Sequence, residues 1–225
     1  MLYGGYPAVI TEPDNREKVA RLAEFRDSYV KRDILEAGIK NETAFYNLFR
    51  ILAAQSGNLL NINDLSLSLR IKHDTVTNYL GVLQKCFHIV LLKPFYRNIK
   101  KEIIKMPKVF LTDTGMLNSL LNNFQPLTLR SDKGLIWETL CFKSLSEIYG
   151  NDEIFFWRTS DGNEVDFVLP NIEKSFAVEV KFDKANIRTV KYKKFIETYL
   201  NIPLSFLYLQ PFEEKLFNEI SGINP

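Results

Sequence analysis

Several features are scarce or missing in this chain of 225 residues. It has only 2 cysteines, Cys86 and Cys141, and both stand among apolar residues, which favours reduced core thiols over a disulfide or a metal site. No apolar run reaches the length of about 18 residues that a membrane span needs. The N-terminus also lacks the basic and then apolar segment of a secretory signal. We therefore expect a soluble, cytoplasmic protein without membrane contacts.

A strong excess of one charge is missing as well. The 29 Lys and Arg residues and 27 Asp and Glu residues give a formal net charge of +2. Overall charge therefore does not argue for a nucleic-acid partner, and such a function must rest on local clusters. The phosphate-binding pattern Gly-x-x-x-x-Gly-Lys-Ser/Thr is absent, so no ATPase activity is expected from this chain alone. The composition, 46% hydrophobic and 25% charged, is ordinary for one or two globular domains.

Two neighbouring segments towards the C-terminal end combine carboxylates with a lysine. Residues 164–169 and 177–182 are short and rich in Val and Phe, which predicts two strands. Side chains alternate between the faces of a strand, so Glu179 and Lys181 project on the same side. If the strands form a hairpin, Asp166 comes alongside Glu179. Two close carboxylates repel each other unless a cation lies between them, and a divalent metal ion is the usual one.

Helical and strand-like patterns alternate along the chain and predict an α/β fold, α+β overall. We expect helices at about residues 15–35, 43–55, 64–70, 75–86, 134–149 and 186–200, with a short one after Thr112-Asp113-Thr114. We expect strands at about residues 87–92, 108–111, 154–158, 164–169, 176–182 and 204–209. Asn63 or Asp64 is expected to cap the helix at 64–70, and Asp74 the helix at 75–86.

Residues 41–105 have the order helix, short helix, longer helix and β-hairpin that is typical of a winged-helix domain. In such a domain the second helix of the helix-turn-helix enters the major groove of DNA. The residues at the start of that helix are Lys72, His73, Thr75, Thr77 and Asn78. Hydroxyl and amide groups suit contacts in the groove, and a lysine suits a phosphate. The alternative is a winged helix that binds only other protein domains.

Two further sets of basic residues can follow a phosphate backbone. The first set is Arg97, Lys100, Lys101 and Lys105, and the second is Lys184, Arg188, Lys191, Lys193 and Lys194. The second set also has a simpler interpretation as the solvated face of a helix.

The acidic segments carry a recognisable motif. Asp166, twelve intervening residues and then Glu179-Val180-Lys181 resemble the PD-(D/E)xK motif of the restriction-endonuclease-like superfamily, with Val165 in the place of proline. Glu138 matches the acidic residue often found on the first helix of that superfamily. The resemblance implies a nuclease-like domain over residues 106–225. In it, Asp166, Glu179 and Glu138 would bind Mg²⁺ or Mn²⁺ and would form the catalytic set together with Lys181.

A narrower resemblance covers most of the chain. The segments that carry it are Gly4-Gly5-Tyr6-Pro7, Tyr29-Val30-Lys31-Arg32-Asp33-Ile34, Pro94-Phe95-Tyr96-Arg97-Asn98, Lys105-Met106-Pro107-Lys108, Thr112-Asp113-Thr114-Gly115, Glu164-Val165-Asp166-Phe167 and Glu179-Val180-Lys181. They resemble the C-terminal part of a prokaryotic AAA-type ATPase family, in which an ATPase module precedes a winged helix and a nuclease-like domain. The resemblance implies that residues 1–40 are the remainder of an ATPase lid and that the chain is a fragment or a truncated member. An ATPase domain or a second copy of the chain is then an expected partner.

Two functions from different classes follow. The first is a metal-dependent DNA phosphodiesterase, an endonuclease-like domain whose winged helix engages the substrate. The second is a non-catalytic regulatory module of an ATPase that binds DNA or protein. In that case the Asp and the Glu-x-Lys sequence are ordinary charged pairs on a sheet surface.

Overall fold

The computed structural model describes residues 1–96, 106–170 and 174–209. Its helices are α1 (Pro7–Ile10), α2 (Asn15–Glu36), α3 (Glu42–Ala54), α4 (Ile62–Leu69), α5 (His73–Lys85), α6 (Thr114–Leu121), α7 (Lys133–Tyr149) and α8 (Lys193–Thr198). Its strands are β1 (Ile89–Pro94), β2 (Lys108–Leu111), β3 (Phe155–Arg158), β4 (Glu164–Leu169), β5 (Phe176–Lys181) and β6 (Leu204–Tyr208). None of the helices in these segments is long and apolar enough to cross a membrane.

Short polar side chains define where several helices begin. Asp14 accepts hydrogen bonds from the first backbone amides of α2, and Asn41 does the same at α3. Asp113 accepts from the Met116 amide at the start of α6, the short helix predicted at this point. Each cap satisfies a helical N–H group that has no partner within the helix.

Two predicted caps are wrong. Asn61 caps α4 by accepting from the amides of Asn63 and Asp64, because the helix begins before both of them. The helix α5 follows Lys72, whose side chain makes no capping hydrogen bond. Asp74 therefore lies inside the first turn of α5, where a negative charge is favourable next to the helix dipole.

The six strands form one sheet in the order β2-β1-β3-β4-β5-β6. β1 pairs antiparallel with β2 and parallel with β3; β3, β4 and β5 are antiparallel neighbours; and β5 pairs parallel with β6. The mixed α+β fold class is therefore as predicted. The sheet contains strands from both sides of the predicted domain boundary at residue 105, because β2 pairs with β1. The domains 1–40, 41–105 and 106–225, and their winged-helix and nuclease-like character, stay predictions.

Apolar packing places one helix on each face of this sheet. On one face, Phe142 of α7 stacks on Phe110 of β2 with ring centroids 4.4 Å apart, and Phe167 packs beside both. On the other face, Trp157 packs against Phe195 of α8. Full burial of one such aromatic side chain contributes about 1.5–3 kcal/mol. The largest cluster packs α2 to α6 against β1 and β2.

A local irregularity in β4 contains Asp166 of the acidic pair. Phe155 of β3 pairs with Val168, whereas Trp157 pairs with Val165, so β4 holds one extra residue between these two pairs. The register shift is a β-bulge, and Val165 and Val168 consequently pack in the same cluster although they are three residues apart. Bulges of this kind redirect the side chains next to them, which here include Asp166.

The predicted helix at 186–200 is wrong over its first half. The chain instead forms two 3₁₀ turns, at Lys184–Asn186 and Thr189–Tyr192, and then the short helix α8. Residues 187, 189 and 190 are β-branched, which lowers their preference for an α-helix. The second turn buries Tyr192 beside β5.

Candidate functional site

The pairing of β4 with β5 brings two carboxylates together. The register pairs Phe167 with Val178, so Asp166 lies next to Glu179, as expected for a hairpin. The Asp166 amide donates to Glu179 Oε2 at 3.3 Å, and the Val180 amide donates to Asp166 Oδ2 at 2.8 Å. Both side chains are buried. Each carboxylate is thus held by a backbone amide of the opposite strand.

The Lys181 ammonium group lies where three oxygens converge. It contacts Glu179 Oε1, donates to the Val180 carbonyl oxygen at 2.9 Å, and lies 3.8 Å from Asp166 Oδ2. The Tyr192 hydroxyl donates to the same Glu179 oxygen at 2.7 Å. The position is therefore built for a cation, with two carboxylate oxygens and one carbonyl oxygen around it.

A second ammonium group, that of Lys108, lies on the other side of Asp166. Its Nζ is 2.6 Å from Glu164 Oε1, 3.0 Å from Glu138 Oε1 and 3.5 Å from Asp166 Oδ1. Glu138 comes from α7 and Lys108 from β2, so the cluster joins the helix to the far edge of the sheet. Arg158 pairs with the other oxygen of Glu164 at 2.7 Å.

The cluster contains more carboxylates than ammonium groups, and its pKa values reflect this. Burial raises the pKa of Glu138 to about 8; Lys108 opposes this shift and Asp166 adds to it. Burial and the charge of Asp166 raise the pKa of Glu179 to about 7, although Lys181 lowers it. Burial alone would lower the pKa of Lys181, but Asp166 and Glu179 raise it above its ordinary value. An additional cation would favour the ionised carboxylates.

The donor chemistry fits a hard divalent ion. Among the residues described by the structure, no three His, Cys, Asp or Glu side chains are grouped so that they could hold a metal ion. Mg²⁺ commonly uses only one or two carboxylates and keeps several water ligands. Asp166, Glu179 and the Val180 carbonyl supply that number of hard oxygen donors at one point. Glu138, predicted as a further ligand, instead contacts Lys108, and its role as a ligand stays a prediction.

Four residues of the cluster were not singled out as site residues from the sequence: Lys108, Arg158, Glu164 and Tyr192. Lys108 is the one charged residue in the apolar strand Lys108–Leu111, which is a usable signal. Glu164 stands two residues before Asp166 in the strand, another signal that was visible. No such signal exists for Tyr192, because its approach to Glu179 depends on the 3₁₀ turn that the sequence pattern did not predict.

The predicted DNA-contacting residues lie along the start of α5. Lys72, His73, Thr77 and Asn78 are exposed, and Thr75 is half-buried. The Thr77 hydroxyl donates to the His73 carbonyl at 3.1 Å. Four of the five side chains are therefore accessible to solvent, and their contact with DNA stays a prediction.

Only the second of the two basic sets lies among the described residues. Arg97, Lys100, Lys101 and Lys105 lie outside the described residues. The second set, Lys184, Arg188, Lys191, Lys193 and Lys194, is exposed. Within it, Lys193 pairs with Glu197 at 3.7 Å and Lys194 with Asp161 at 3.1 Å. These pairs agree with the simpler interpretation as a solvated surface.

Comparison with known proteins gives two family matches, and the residues of the cluster fall in both of them. Residues 1–127 match the family described as a domain of unknown function, DUF8612, over more than half of the chain. The chain belongs to this family. Residues 133–217 match a second domain of unknown function, DUF4143. The carboxylates, Lys181 and Tyr192 lie within the second match, whereas Lys108 lies within the first.

The curated relatives that the chain resembles are uncharacterised proteins. One from Mycobacterium tuberculosis is 27% identical over 183 residues, which is 80% of this chain and 42% of that protein. One from Methanocaldococcus jannaschii is 27% identical over 175 residues, 74% of this chain and 37% of that protein. One from Haemophilus influenzae is 24% identical over 187 residues, 80% of this chain and 44% of that protein. The chain thus spans about two fifths of the length of these relatives. No solved structure matches it.

Proposed function

We propose that this chain carries a metal-dependent phosphodiesterase site that acts on DNA, with α5 engaging the substrate. The observation that carries the proposal is the convergence of Asp166 Oδ2, Glu179 Oε1 and the Val180 carbonyl on one cationic atom. A resemblance to the PD-(D/E)xK motif supports it, because the same residues then have a coherent role. The cytoplasmic location, the DNA substrate and the bound metal ion are all parts of this proposal.

Asp166, Glu179 and the Val180 carbonyl would hold Mg²⁺ or Mn²⁺, and Glu138 is the adjoining carboxylate. A bound divalent ion lowers the pKa of its water ligand and offsets the charge that builds on the scissile phosphate.

The protein's own groups supply the remaining functions. Lys181 is the partly exposed member of the cluster, at 29% side-chain exposure, so its flexible side chain can turn from the carboxylates towards a phosphate. A positive charge placed there stabilises the transition state electrostatically. The Tyr192 hydroxyl holds Glu179 in one orientation, which is the usual task of a group hydrogen-bonded to a metal ligand.

Calorimetric titration with Mg²⁺ and Mn²⁺ tests the proposal. The wild-type chain is expected to bind, and Asp166→Ala to lose affinity by at least about 100-fold, more than the loss typical of removing a supporting residue. Asp161→Ala is the matched control, because Asp161 is an exposed carboxylate that pairs with Lys194. A wild-type chain that binds neither ion, with or without DNA, contradicts the proposal.

Substitution of Lys72 tests the DNA-binding face. If Lys72 contacts a phosphate, Lys72→Ala weakens DNA binding similarly for all sequences and reduces the slope of log K against log salt by about 1. Fluorescence anisotropy at several salt concentrations measures both quantities. Lys31→Ala, which removes an exposed lysine of α2, is the control. Equal slopes for the wild type and Lys72→Ala would remove Lys72 from the interface.

A second candidate function is a non-catalytic regulatory module of an ATPase that binds DNA or protein. The observation that favours it is the presence of Lys108 and Lys181 among the carboxylates, because the two ammonium groups supply partners without a metal ion. An ATPase domain or a second copy of the chain would be the partner. This function predicts DNA or protein binding that is independent of divalent ions.

A further inference from the structure

We propose that Lys108 is a resident cation that fills the second of two cation positions, so that the site takes one divalent ion rather than two. The inference rests on the proposed metal-binding function and specifies its stoichiometry.

The two positions share one carboxylate. Asp166 Oδ1 faces Lys108 at 3.5 Å, and Asp166 Oδ2 faces Lys181 at 3.8 Å. A carboxylate with one cation at each oxygen is the arrangement expected of a bridging ligand, and paired metal ions in hydrolytic sites lie about 3.5–4 Å apart. The second position also has Glu138 and Glu164 around it. Together with Asp166, these carboxylates surround the Lys108 ammonium group, which is the cation at that position.

The two lysines differ in how easily their side chains can move out of the carboxylate cluster. The Lys181 side chain is 29% exposed, and the Lys108 side chain is 3% exposed. Lys108 Nζ also lies over the ring of Phe156, 5.7 Å from its centroid. Lys181 can therefore turn into solvent when an ion arrives, whereas departure of Lys108 would empty a buried position.

Backbone pairing fixes the strand that carries Lys108. The Gly57 amide donates to the Val109 carbonyl at 2.7 Å, and the Val109 amide donates to the Asn58 carbonyl at 3.0 Å. The Leu60 amide donates to the Pro107 carbonyl at 2.8 Å. The segment that follows α3 thus holds β2 on both sides of Lys108, and the side chain starts from a rigid position.

The same segment confines the carboxylate opposite Lys108. Gly57 has φ +82°, and a Cβ atom at this residue would lie 3.2 Å from the carboxyl group of Glu138. Ser56 Oγ is 2.8 Å from Thr139 Oγ1 and accepts from the Leu111 amide at 3.1 Å. α7 and β2 are therefore tied together next to the position where Glu138 meets Lys108.

Local charge also indicates one ion. Three carboxylates, Glu138, Glu164 and Asp166, lie around Lys108, whereas Asp166 and Glu179 lie at Lys181. When Lys181 turns away, one divalent ion supplies the positive charge at Asp166 and Glu179. A second divalent ion beside the retained Lys108 would place two cations at one buried position, which is unfavourable.

The test is calorimetric titration of the full chain with MnCl₂, together with thermal melting at the same MnCl₂ concentrations. We expect the wild type and the control Lys133→Met, which removes a half-exposed surface lysine, to bind one ion per chain. We expect Lys108→Met to bind two, and its melting temperature to rise more with MnCl₂ than that of the wild type. If Lys108→Met does not fold, Lys108→Met/Glu164→Gln removes one charge of each sign and is expected to bind a second, weaker ion.

The outcomes separate the inference from the function on which it rests. Two ions bound to the wild type overturn the inference and leave the metal-binding proposal intact. One ion bound to every folded Lys108 variant also overturns it. A wild-type chain that binds no ion overturns the proposed function, and the inference falls with it.

Discussion

Lys181→Ala is expected to slow metal-dependent DNA cleavage by about 10²–10³-fold, the usual loss when one group that stabilises transition-state charge is removed. The same variant is expected to bind Mn²⁺ at least as tightly as the wild type. The reason is that the Lys181 ammonium group occupies the oxygens of Asp166, Glu179 and Val180 that would hold the ion. Single-turnover cleavage of a labelled duplex and calorimetry measure the two effects.

Opposite changes in rate and metal affinity separate catalysis from a structural role. A variant that merely damages the fold would lose both, and its thermal melting would show this. Lys174→Ala is the matched control, because Lys174 is an exposed lysine just before β5 and lies outside both basic sets. Cleavage by Lys181→Ala at the wild-type rate, with DNA affinity retained, would exclude Lys181 from the chemistry and would favour the regulatory module.

The sequence predicted the part of the site that depends on local patterns. Val and Phe residues at strand spacing located β4 and β5, and a hairpin between them placed Asp166 beside Glu179. The spacing to Lys181 then follows from the same strand. These relations extend over fewer than about twenty residues, a range in which register follows from the alternation of buried and exposed positions.

The remaining part depends on contacts between distant segments. Lys108 reaches the carboxylates only because β2 pairs with β1, and β1 lies beside β3 in the sheet. No local pattern contains that strand order. The bulge that contains Asp166 and the 3₁₀ turn that buries Tyr192 were also unpredicted, since each is a small departure from a regular element. The acidic pair was therefore predictable, whereas the contact of Lys108 with it was not.

The metal-free chain is expected to lose stability as the pH rises from about 5 to about 8. The pKa of Glu138 is raised to about 8 and that of Glu179 to about 7, from ordinary values of 4.5. In this interval the folded chain binds more protons than the unfolded chain, so the free energy of unfolding decreases with increasing pH. The sign is opposite to that of an exposed, salt-bridged carboxylate, whose pKa is lowered by folding.

The expected loss is on the order of a few kcal/mol, because one pKa unit corresponds to ~1.4 kcal/mol and the shifts of coupled carboxylates, which titrate as a unit, do not add in full. Urea denaturation in the presence of a chelator, at about four pH values across the interval, measures it. Glu138→Gln should flatten the profile, since the amide cannot ionise, whereas Glu147→Gln, at an exposed position of the same helix, should leave it unchanged. Saturating Mg²⁺ should also reduce the loss in the wild type, because an ion that binds ionised Asp166 and Glu179 stabilises the folded chain more at higher pH. A profile that rises with pH, or that Mg²⁺ does not alter, would mean that the lysines alone neutralise the cluster.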